Sequence, residues 1–274
     1  MPPCRRAASL PAISPHNLVD FEVDHDLPRS DYETQLEALQ HRLELIQAAY
    51  IMQGLKGIVA IEGWDASGKG GLVTRMNATL DPRFCKVWSI AAPTREEAAR
   101  HYLWRFWQRL PGNREIAVFD RTWYGRVLVE RVDGFTPEPR WRDAFQEIND
   151  FEALLLADGV RLVKIFLHTT QAEQDKRLEE RIRTPWKRWK TGTDDYHNRS
   201  QRAAYVEAYE DMFRLCSPPS APWHVVAAND KKWARVRSLE LICEALGAGV
   251  DLSWPEPDAE LVKIAEKALG KKLD

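Results

Sequence analysis

The chain has 274 residues, of which 44% are hydrophobic and 29% charged, a length that suits one large α/β domain better than two. Its 39 Lys and Arg residues nearly balance 41 Asp and Glu residues, and the net charge of −2 gives no overall signature of nucleic-acid binding. Four scattered cysteines lack metal-ligand spacing, and no stretch approaches the roughly twenty apolar residues of a membrane span. We therefore expect a cytoplasmic protein with reduced thiols.

The first predicted elements are a tail and a long helix. Residues 1–30 hold only a short apolar run interrupted by prolines, which is too short for a signal peptide, so we expect a flexible N-terminal tail. Residues 31–54 carry Leu36, Leu39 and Leu43 at helical spacing. This pattern predicts an amphipathic helix that leads into the first strand.

Beyond residue 54, strand-like and helix-like segments alternate. The predicted strands have nearly continuous apolar sequence and are residues 57–62, 85–91, 115–119, 161–167 and 223–228. The predicted helices are residues 70–80, 94–109, 137–157, 170–182, 200–215 and 231–247. This alternation is typical of a doubly wound α/β fold, whose parallel sheet is buried by helices on both faces. We expect one domain over residues 31–250 and a C-terminal extension, 251–274, with a short helix for packing or an oligomer contact.

The most informative segment lies between the first strand and the helix after it. Residues 63–70 read Gly-Trp-Asp-Ala-Ser-Gly-Lys-Gly, which keeps the glycine and lysine spacing of a phosphate-binding loop. Backbone N–H groups of such a loop bind phosphate oxygens, and the lysine reaches the phosphoryl group that moves. The predicted phosphate-binding residues are Gly63, Ala66, Ser67, Gly68, Lys69 and Gly70. The alternative is a chance glycine-rich turn.

Two residues of this loop depart from the usual pattern. Gly70 stands where a Ser or Thr hydroxyl normally binds Mg²⁺, so an ordinary ATPase or GTPase would lack that ligand. Asp65 is an acidic residue among groups that attract anions. Its presence is understandable if a metal ion lies between its carboxylate and the phosphates. We therefore predict that Asp65 is a metal ligand.

A second motif follows the predicted strand 115–119. Asp120 and Arg121 come at the carboxyl edge of the sheet, where ligands bind in this architecture. An aspartate there can hold Mg²⁺, and the planar guanidinium of Arg121 can bind a phosphate oxygen. The alternative is that Asp120 caps the next helix and Arg121 is a solvated neighbour.

A third motif is a basic segment at residues 181–202, which has seven Lys and Arg residues against two Asp. In nucleotide kinases, the corresponding position carries a mobile lid that closes over the phosphates and contributes arginines. We predict a helical lid in which Arg181 reaches the transferring phosphoryl group and Lys187 and Lys190 hold phosphates. The alternative is a charged, solvated loop.

With these motifs placed, residues 30–248 resemble the polyphosphate kinase type 2 family, whose members transfer phosphoryl groups between inorganic polyphosphate and nucleotides. The segments that carry the resemblance are residues 62–71, 119–132, 181–190, 221–223 and 228–231. It implies a P-loop kinase-like fold and a site that uses Mg²⁺, or alternatively Mn²⁺. The implied roles are metal ligands for Asp65 and Asp120, phosphate clamps for Lys69 and Arg121, and the lid arginine for Arg181.

The resemblance also implies the substrates. The acceptor would be AMP, ADP or both, with guanine nucleotides as further candidates, and residues 120–130 look more like the AMP-phosphorylating group. A polyphosphate donor requires a basic groove, and the candidate residues for its lining are Arg75, Lys86, Arg105, Arg126 and Arg131. Glu130, which lies between the last two, is also predicted to be a substrate-binding residue. The alternative for residues 126–131 is a surface ion-pair stripe. We expect a homo-oligomer, a dimer or tetramer, without nucleic-acid or membrane partners.

Two other functions share some of these features. An ATP-dependent nucleoside or nucleotide kinase of the thymidylate kinase-like type would have the same loop, Asp-Arg pair and lid, although Gly70 argues against it. A non-catalytic protein that binds polyphosphate or nucleic acid would use the basic segment as a clamp. Asp65 and Asp120 argue against this second function, because they weaken anion binding unless a metal is present.

Overall fold

The fold is built on a five-stranded parallel sheet in the computed structural model, which describes residues 17–273. In chain order the strands are β1 (Lys56–Gly63), β2 (Cys85–Ser89), β3 (Ile116–Asp120), β4 (Val160–His168) and β5 (Trp223–Ala227). Their order in the sheet is β2-β3-β1-β4-β5, and every neighbouring pair is parallel. The doubly wound fold is confirmed, and all five predicted strands are present.

The helices cover both faces of this sheet. In chain order they are α1 (Arg29–Gln53), α2 (Lys69–Asn77), α3 (Arg95–Ala98), α4 (Trp104–Trp107), α5 (Val129–Val132), α6 (Glu138–Ala157), α7 (Gln171–Arg183), α8 (Thr193–Ser200), α9 (Arg202–Leu215), α10 (Lys231–Gly247) and α11 (Ala259–Leu269). Short 3-10 helices occur at Leu18–Phe21, Trp123–Arg126 and Pro185–Lys190. No helix within residues 17–273 is long and apolar enough to cross a membrane.

Alternate residues of the central strand pack into two separate cores. Ile58 and Ala60 of β1 join a core that contains aromatic side chains of α6 and α9. Val59 and Ile61 join the core on the opposite face, which is formed largely with α1, α2 and α10. Because both faces of the strand are buried, its middle residues, 57–61, are continuously apolar rather than alternating.

Two predicted helices differ from the structure. The helix predicted at 94–109 is divided into α3 and α4. Between these two helices the chain forms turns, in which the backbone N–H groups of Arg100 and Trp104 donate to carbonyls three residues earlier. The helix predicted at 200–215 is α9, and the separate helix before it, α8, lies within the segment predicted as a helical lid. The segment 181–202 is therefore mostly helical, and its helices pack near the edge where the strands end.

The packed part of the chain begins earlier than the predicted boundary at residue 31. Leu18 is only 2% exposed and belongs to the core that faces α6 and α9. His25 stacks on Trp233 of α10, and the Leu27 carbonyl accepts a hydrogen bond from Lys232. Residues 17–30 are thus joined to the domain, which corrects the predicted tail for those residues, whereas residues 1–16 lie outside the described part of the chain.

Candidate active site

The loop of residues 63–70 leaves β1 at the carboxyl edge of the sheet and enters α2. Gly63 has φ of 143°, and a Cβ at this position would lie 2.5 Å from the backbone oxygen of Leu167 in β4. Gly68 precedes α2 with φ of 118°. The backbone conformation therefore requires glycine at both positions, because residues with a side chain rarely adopt these φ values. The loop curls tightly and ends at a helix N-terminus, as a phosphate-binding loop does.

The lysine of this loop lies over the loop. The ammonium group of Lys69 donates to the carbonyl oxygens of Gly63 at 2.6 Å and Trp64 at 3.0 Å. At Gly70, a Cβ would meet no atom within 4 Å. The hydroxyl that phosphate-binding loops usually carry there would thus fit sterically, so its absence is a chemical difference and not a packing requirement.

The Asp-Arg motif begins at the end of the neighbouring strand β3. Arg121 has φ of 65°, and its backbone N–H donates to the carbonyl of Ile61 in β1 at 3.0 Å. The residue that caps the following 3-10 helix is Thr122, whose hydroxyl accepts from the N–H of Tyr124 at 3.2 Å. The alternative interpretation of Asp120 as the cap is therefore wrong.

The loop and the Asp-Arg motif meet at Asp65. Its carboxylate accepts one hydrogen bond from Arg121 at 3.0 Å and another from the amide of Asn198 in α8 at 2.8 Å. Burial alone would raise the pKa of Asp65, but the charges of Lys69 and Arg121 and these hydrogen bonds hold it below its ordinary value. The carboxylate therefore stays ionised, as a metal ligand must.

A buried carboxylate that the sequence prediction omitted supports this arrangement. Glu62 precedes the loop, and its Oε1 accepts from the N–H and the hydroxyl of Thr122 at 2.8 and 2.7 Å. Burial raises the pKa of Glu62, although the hydrogen bond from Thr122 partly opposes this effect. Glu62 thus ties the start of the loop to the turn after Arg121. An acidic residue within an apolar strand was the signal that could have identified it.

The two predicted metal ligands differ in what surrounds them. The Asp65 carboxylate is hydrogen-bonded to Arg121 and Asn198, whereas no hydrogen bond within residues 17–273 is made to the Asp120 carboxylate. No group of three or more His, Cys, Asp and Glu side chains in the described chain could hold a metal ion by itself. The residues present fit Mg²⁺ only in its usual mode, with one or two carboxylates and the remaining ligands from phosphates and water.

The basic segment 181–202 has internal partners for its predicted phosphate-binding groups. Arg181, in the last turn of α7, donates to the Lys190 carbonyl at 2.9 Å and lies 3.7 Å from Asp195. Lys187 pairs with Glu180, and the ammonium of Lys190 lies over the Trp189 ring. The segment is therefore folded on itself, and Asn198 connects it to Asp65 of the loop. The guanidinium of Arg202 lies 3.9 Å from the centre of the Trp64 ring in the same loop. The sequence prediction gave neither residue a role in the site.

The arginines predicted to line a basic groove are mostly paired with acidic groups. Arg105 lies 3.6 Å from Glu97, and Arg126 forms an ion pair with Glu130 at 2.8 Å. Arg75 donates to the carbonyl of Gly71 in its own helix. The Arg126–Glu130 pair is the contact that the ion-pair alternative predicted.

Arg131 has the most extensive pairing of this group. It bonds to Asp211 at 2.8 Å and Glu207 at 3.1 Å, both in α9, and lies over the ring of Trp141 in α6. Its described polar contacts hold α5, α6 and α9 together, and none of them joins it to the phosphate loop. A groove lined by Arg131 would require these ion pairs to open, since a paired guanidinium offers little free charge to a polyanion.

Comparison with known proteins agrees with this geometry. Residues 26–250 match the family model described as Polyphosphate kinase 2. The chain belongs to this family. A solved structure of a putative polyphosphate kinase 2 from Pseudomonas aeruginosa is similar to it, with a TM-score of 0.81 and 42% identity over 85% of this chain and 50% of that one. The P-loop kinase-like α/β architecture expected for the family is thus confirmed.

Two curated relatives are more similar still in sequence. The polyphosphate:AMP phosphotransferase of Pseudomonas aeruginosa is 46% identical over 84% of this chain and 47% of its own length. The protein of the same name from Pseudomonas syringae pv. tomato is 44% identical over 84% of this chain and 46% of its own length. The chain therefore spans about half the length of these two curated relatives.

Proposed function

We propose that this protein catalyses phosphoryl transfer between inorganic polyphosphate and a nucleotide, with AMP as the first acceptor and ADP as its product. The observation that carries this proposal is the contact of the loop of residues 63–70 with the Asp-Arg motif, where Nη2 of Arg121 lies 3.0 Å from Oδ1 of Asp65. Both elements lie within the residues that match the family. The names of the two curated relatives support AMP as the acceptor.

The loop and the arginines would bind and orient the phosphates. Lys69 is held at the loop by two carbonyl oxygens, from which its flexible ammonium can turn to a phosphate oxygen. Arg121 is 55% exposed in its side chain, so it can exchange the Asp65 carboxylate for a phosphate oxygen. These positive groups would neutralise charge that spreads over the transferring phosphoryl group, while in-line positioning of the acceptor supplies the rest of catalysis.

Asp65 and Asp120 would hold Mg²⁺ together with phosphate oxygens and water. When bound, the ion would neutralise phosphate charge and orient the chain of phosphates. The absence of a loop hydroxyl at Gly70 supports this use of two aspartates. Closure of segment 181–202 would bring Arg181 to the transferring group and exclude water. Lys187 and Lys190 would hold phosphates that do not react.

The experiment is a substrate survey with the purified chain and Mg²⁺. Polyphosphate and, separately, ATP are offered as donors to AMP, ADP, GMP and GDP, and the products are resolved by chromatography. We expect ADP from polyphosphate and AMP, and a rate of ADP formation at least about a hundredfold lower with Asp120→Asn. Transfer from ATP without transfer from polyphosphate would establish a nucleotide kinase instead, and binding of polyphosphate without any product would establish a non-catalytic clamp.

A further inference from the structure

One face of α7 contacts the phosphate loop along its backbone. Gln174, Arg177 and Arg181 are spaced by three and four residues, which places them on one stripe of the helix. Gln174 is buried and donates from its amide to the carbonyl of Asp65 at 3.2 Å. Its own carbonyl accepts from Arg202 at 2.9 Å, which fixes the orientation of the amide.

Arg177 makes the central contacts of this stripe. Its side chain is 3% exposed, and its Nη1 donates to the carbonyls of Ala66 and Ser67 at 3.1 and 2.8 Å. Its Nη2 donates to the carbonyls of Ala228 and Asn229, after β5, at 2.7 and 2.8 Å. The remaining Nε–H donates to Glu173 at 2.7 Å. All five guanidinium donors are thus used inside the protein, and none is left for a substrate.

These bonds determine the direction of the loop N–H groups. Across a planar trans peptide, a carbonyl and the following N–H point to opposite sides. The Asp65 and Ser67 carbonyls point to α7, so the N–H groups of Ala66 and Gly68 point away from it. Ala66 itself has φ of 63°, which is uncommon for a residue other than glycine and persists only where neighbouring groups hold it.

We propose that Arg177, assisted by Gln174, is a positioning residue for phosphoryl transfer. It turns the loop N–H groups toward the phosphates, and it fixes α7 so that Arg181, one turn further along the same stripe, has a set distance from them. Its role in turnover rests on the proposed function, whereas its control of loop geometry does not. No other side-chain type provides two parallel pairs of donors in one plane, so lysine cannot replace it.

The test uses Arg177→Gln and Arg177→Lys with a matched control, Arg161→Gln. Arg161 lies near the start of β4, at the opposite edge of the sheet, and donates to the Ala248 carbonyl at 3.4 Å. The first measurement is amide hydrogen exchange of the ligand-free proteins. We expect exchange in residues 63–70 to accelerate at least tenfold in both Arg177 variants, with β2 and α6 unchanged. Arg161→Gln should leave loop exchange as in the parent.

The second measurement is steady-state kinetics with polyphosphate and AMP. Displacement of the loop by about 1 Å can cost a hundredfold in rate, so we expect kcat to fall on that order in Arg177→Gln and at least tenfold in Arg177→Lys. Arg161→Gln should stay within twofold of the parent. Full activity of Arg177→Lys would overturn the proposal, because the charge alone would then suffice.

The exchange data separate this inference from the proposed function. If the parent protein transfers no phosphate from polyphosphate, the proposed function fails, and faster loop exchange in the Arg177 variants still supports the control of loop geometry. If residues 63–70 of these variants exchange their amide hydrogens at the same rate as in the parent protein, the inference is overturned. Equal acceleration in the loop, β2 and α6 also overturns it, since Arg177 would then stabilise the whole domain without a specific effect on the loop.

Discussion

We predict that the folded protein loses stability as the pH falls from 6.5 to 4 because His168 must bind a proton. His168 ends β4, and its Nδ1 accepts a hydrogen bond from the indole N–H of Trp64 in the phosphate loop at 2.9 Å. An indole N–H can only donate, so Nδ1 carries no proton in this contact. Burial, and secondly the charge of Arg202, lower the pKa of His168 from 6.5 to about 4. The carboxylate of Glu22 lies 3.5 Å from Nε2.

The sign and size of this stability loss follow from the different pKa values of His168 in the folded and unfolded states. A histidine in the unfolded chain binds a proton near its ordinary pKa of 6.5, whereas folded His168 does so only near 4. Its stabilising effect is therefore complete above pH 6.5 and is lost progressively as the pH falls to 4. Between pH 7.5 and 4.5 the loss amounts to about 2.5 kcal/mol, which for a domain of this size lowers the melting temperature by roughly 5–10 °C.

The assay compares His168→Asn with the parent by denaturant unfolding at both pH values. The asparagine carbonyl can accept from Trp64 but does not titrate, so the stability difference between the proteins should narrow by about 2.5 kcal/mol at pH 4.5. Burial also lowers the pKa of His224 to about 4. Because His224 is present in both proteins, its contribution cancels in the difference between their unfolding free energies. The exposed His41 provides the control variant, His41→Asn. A difference that is the same at both pH values would refute the reasoning.

Three further predictions concern the loop, the aspartates and the lid. Gly63→Ala would place a methyl group 2.5 Å from the β4 backbone at φ of 143°, so we expect a loss of about 2 kcal/mol or more in unfolding free energy, measured by urea titration. Asp65→Asn and Asp120→Asn should each lower turnover about a hundredfold or more while the melting temperature stays close to that of the parent protein. Rates close to those of the parent at low Mg²⁺ would exclude both residues from a metal site. Arg181→Ala should lower kcat on the order of a thousandfold with little change in polyphosphate binding by calorimetry, whereas Lys187→Ala should first raise KM. Weaker binding with normal kcat in Arg181→Ala would mean a static clamp.

The sheet could be predicted because its physical cause lies in local sequence. A strand buried on both faces must be largely apolar, and β1, β3 and β4 show this pattern. The buried exceptions, Glu62 in β1 and Lys164 in β4, are both hydrogen-bonded. The phosphate loop was predictable for a similar reason. Gly63 and Gly68 occupy conformations that other residues rarely adopt, so their spacing with Lys69 is fixed by the backbone and is visible in the sequence.

Pairing between charged side chains was decided by the tertiary structure. Arg131 is bonded to Asp211 and Glu207, about eighty residues further along the chain, and no local pattern distinguishes such a paired arginine from one that is free to bind phosphate. The resemblance to a family that uses polyphosphate therefore suggested a basic groove where the fold provides ion pairs. The charge of a side chain is determined by its type, but its availability depends on which elements pack beside it.

The contacts that set the geometry of the loop are also long-range. Asn198 reaches Asp65 across 133 positions, and Arg177 reaches Ala66 across 111. The sequence by itself determined the parallel sheet, the phosphate loop and the Asp-Arg motif, because local backbone conformation and burial require particular residue types there. Only the tertiary structure decided what orients the loop. Arg177 follows no motif, and its role arises because α7 packs against backbone carbonyls, which every sequence contains and which no sequence pattern reveals.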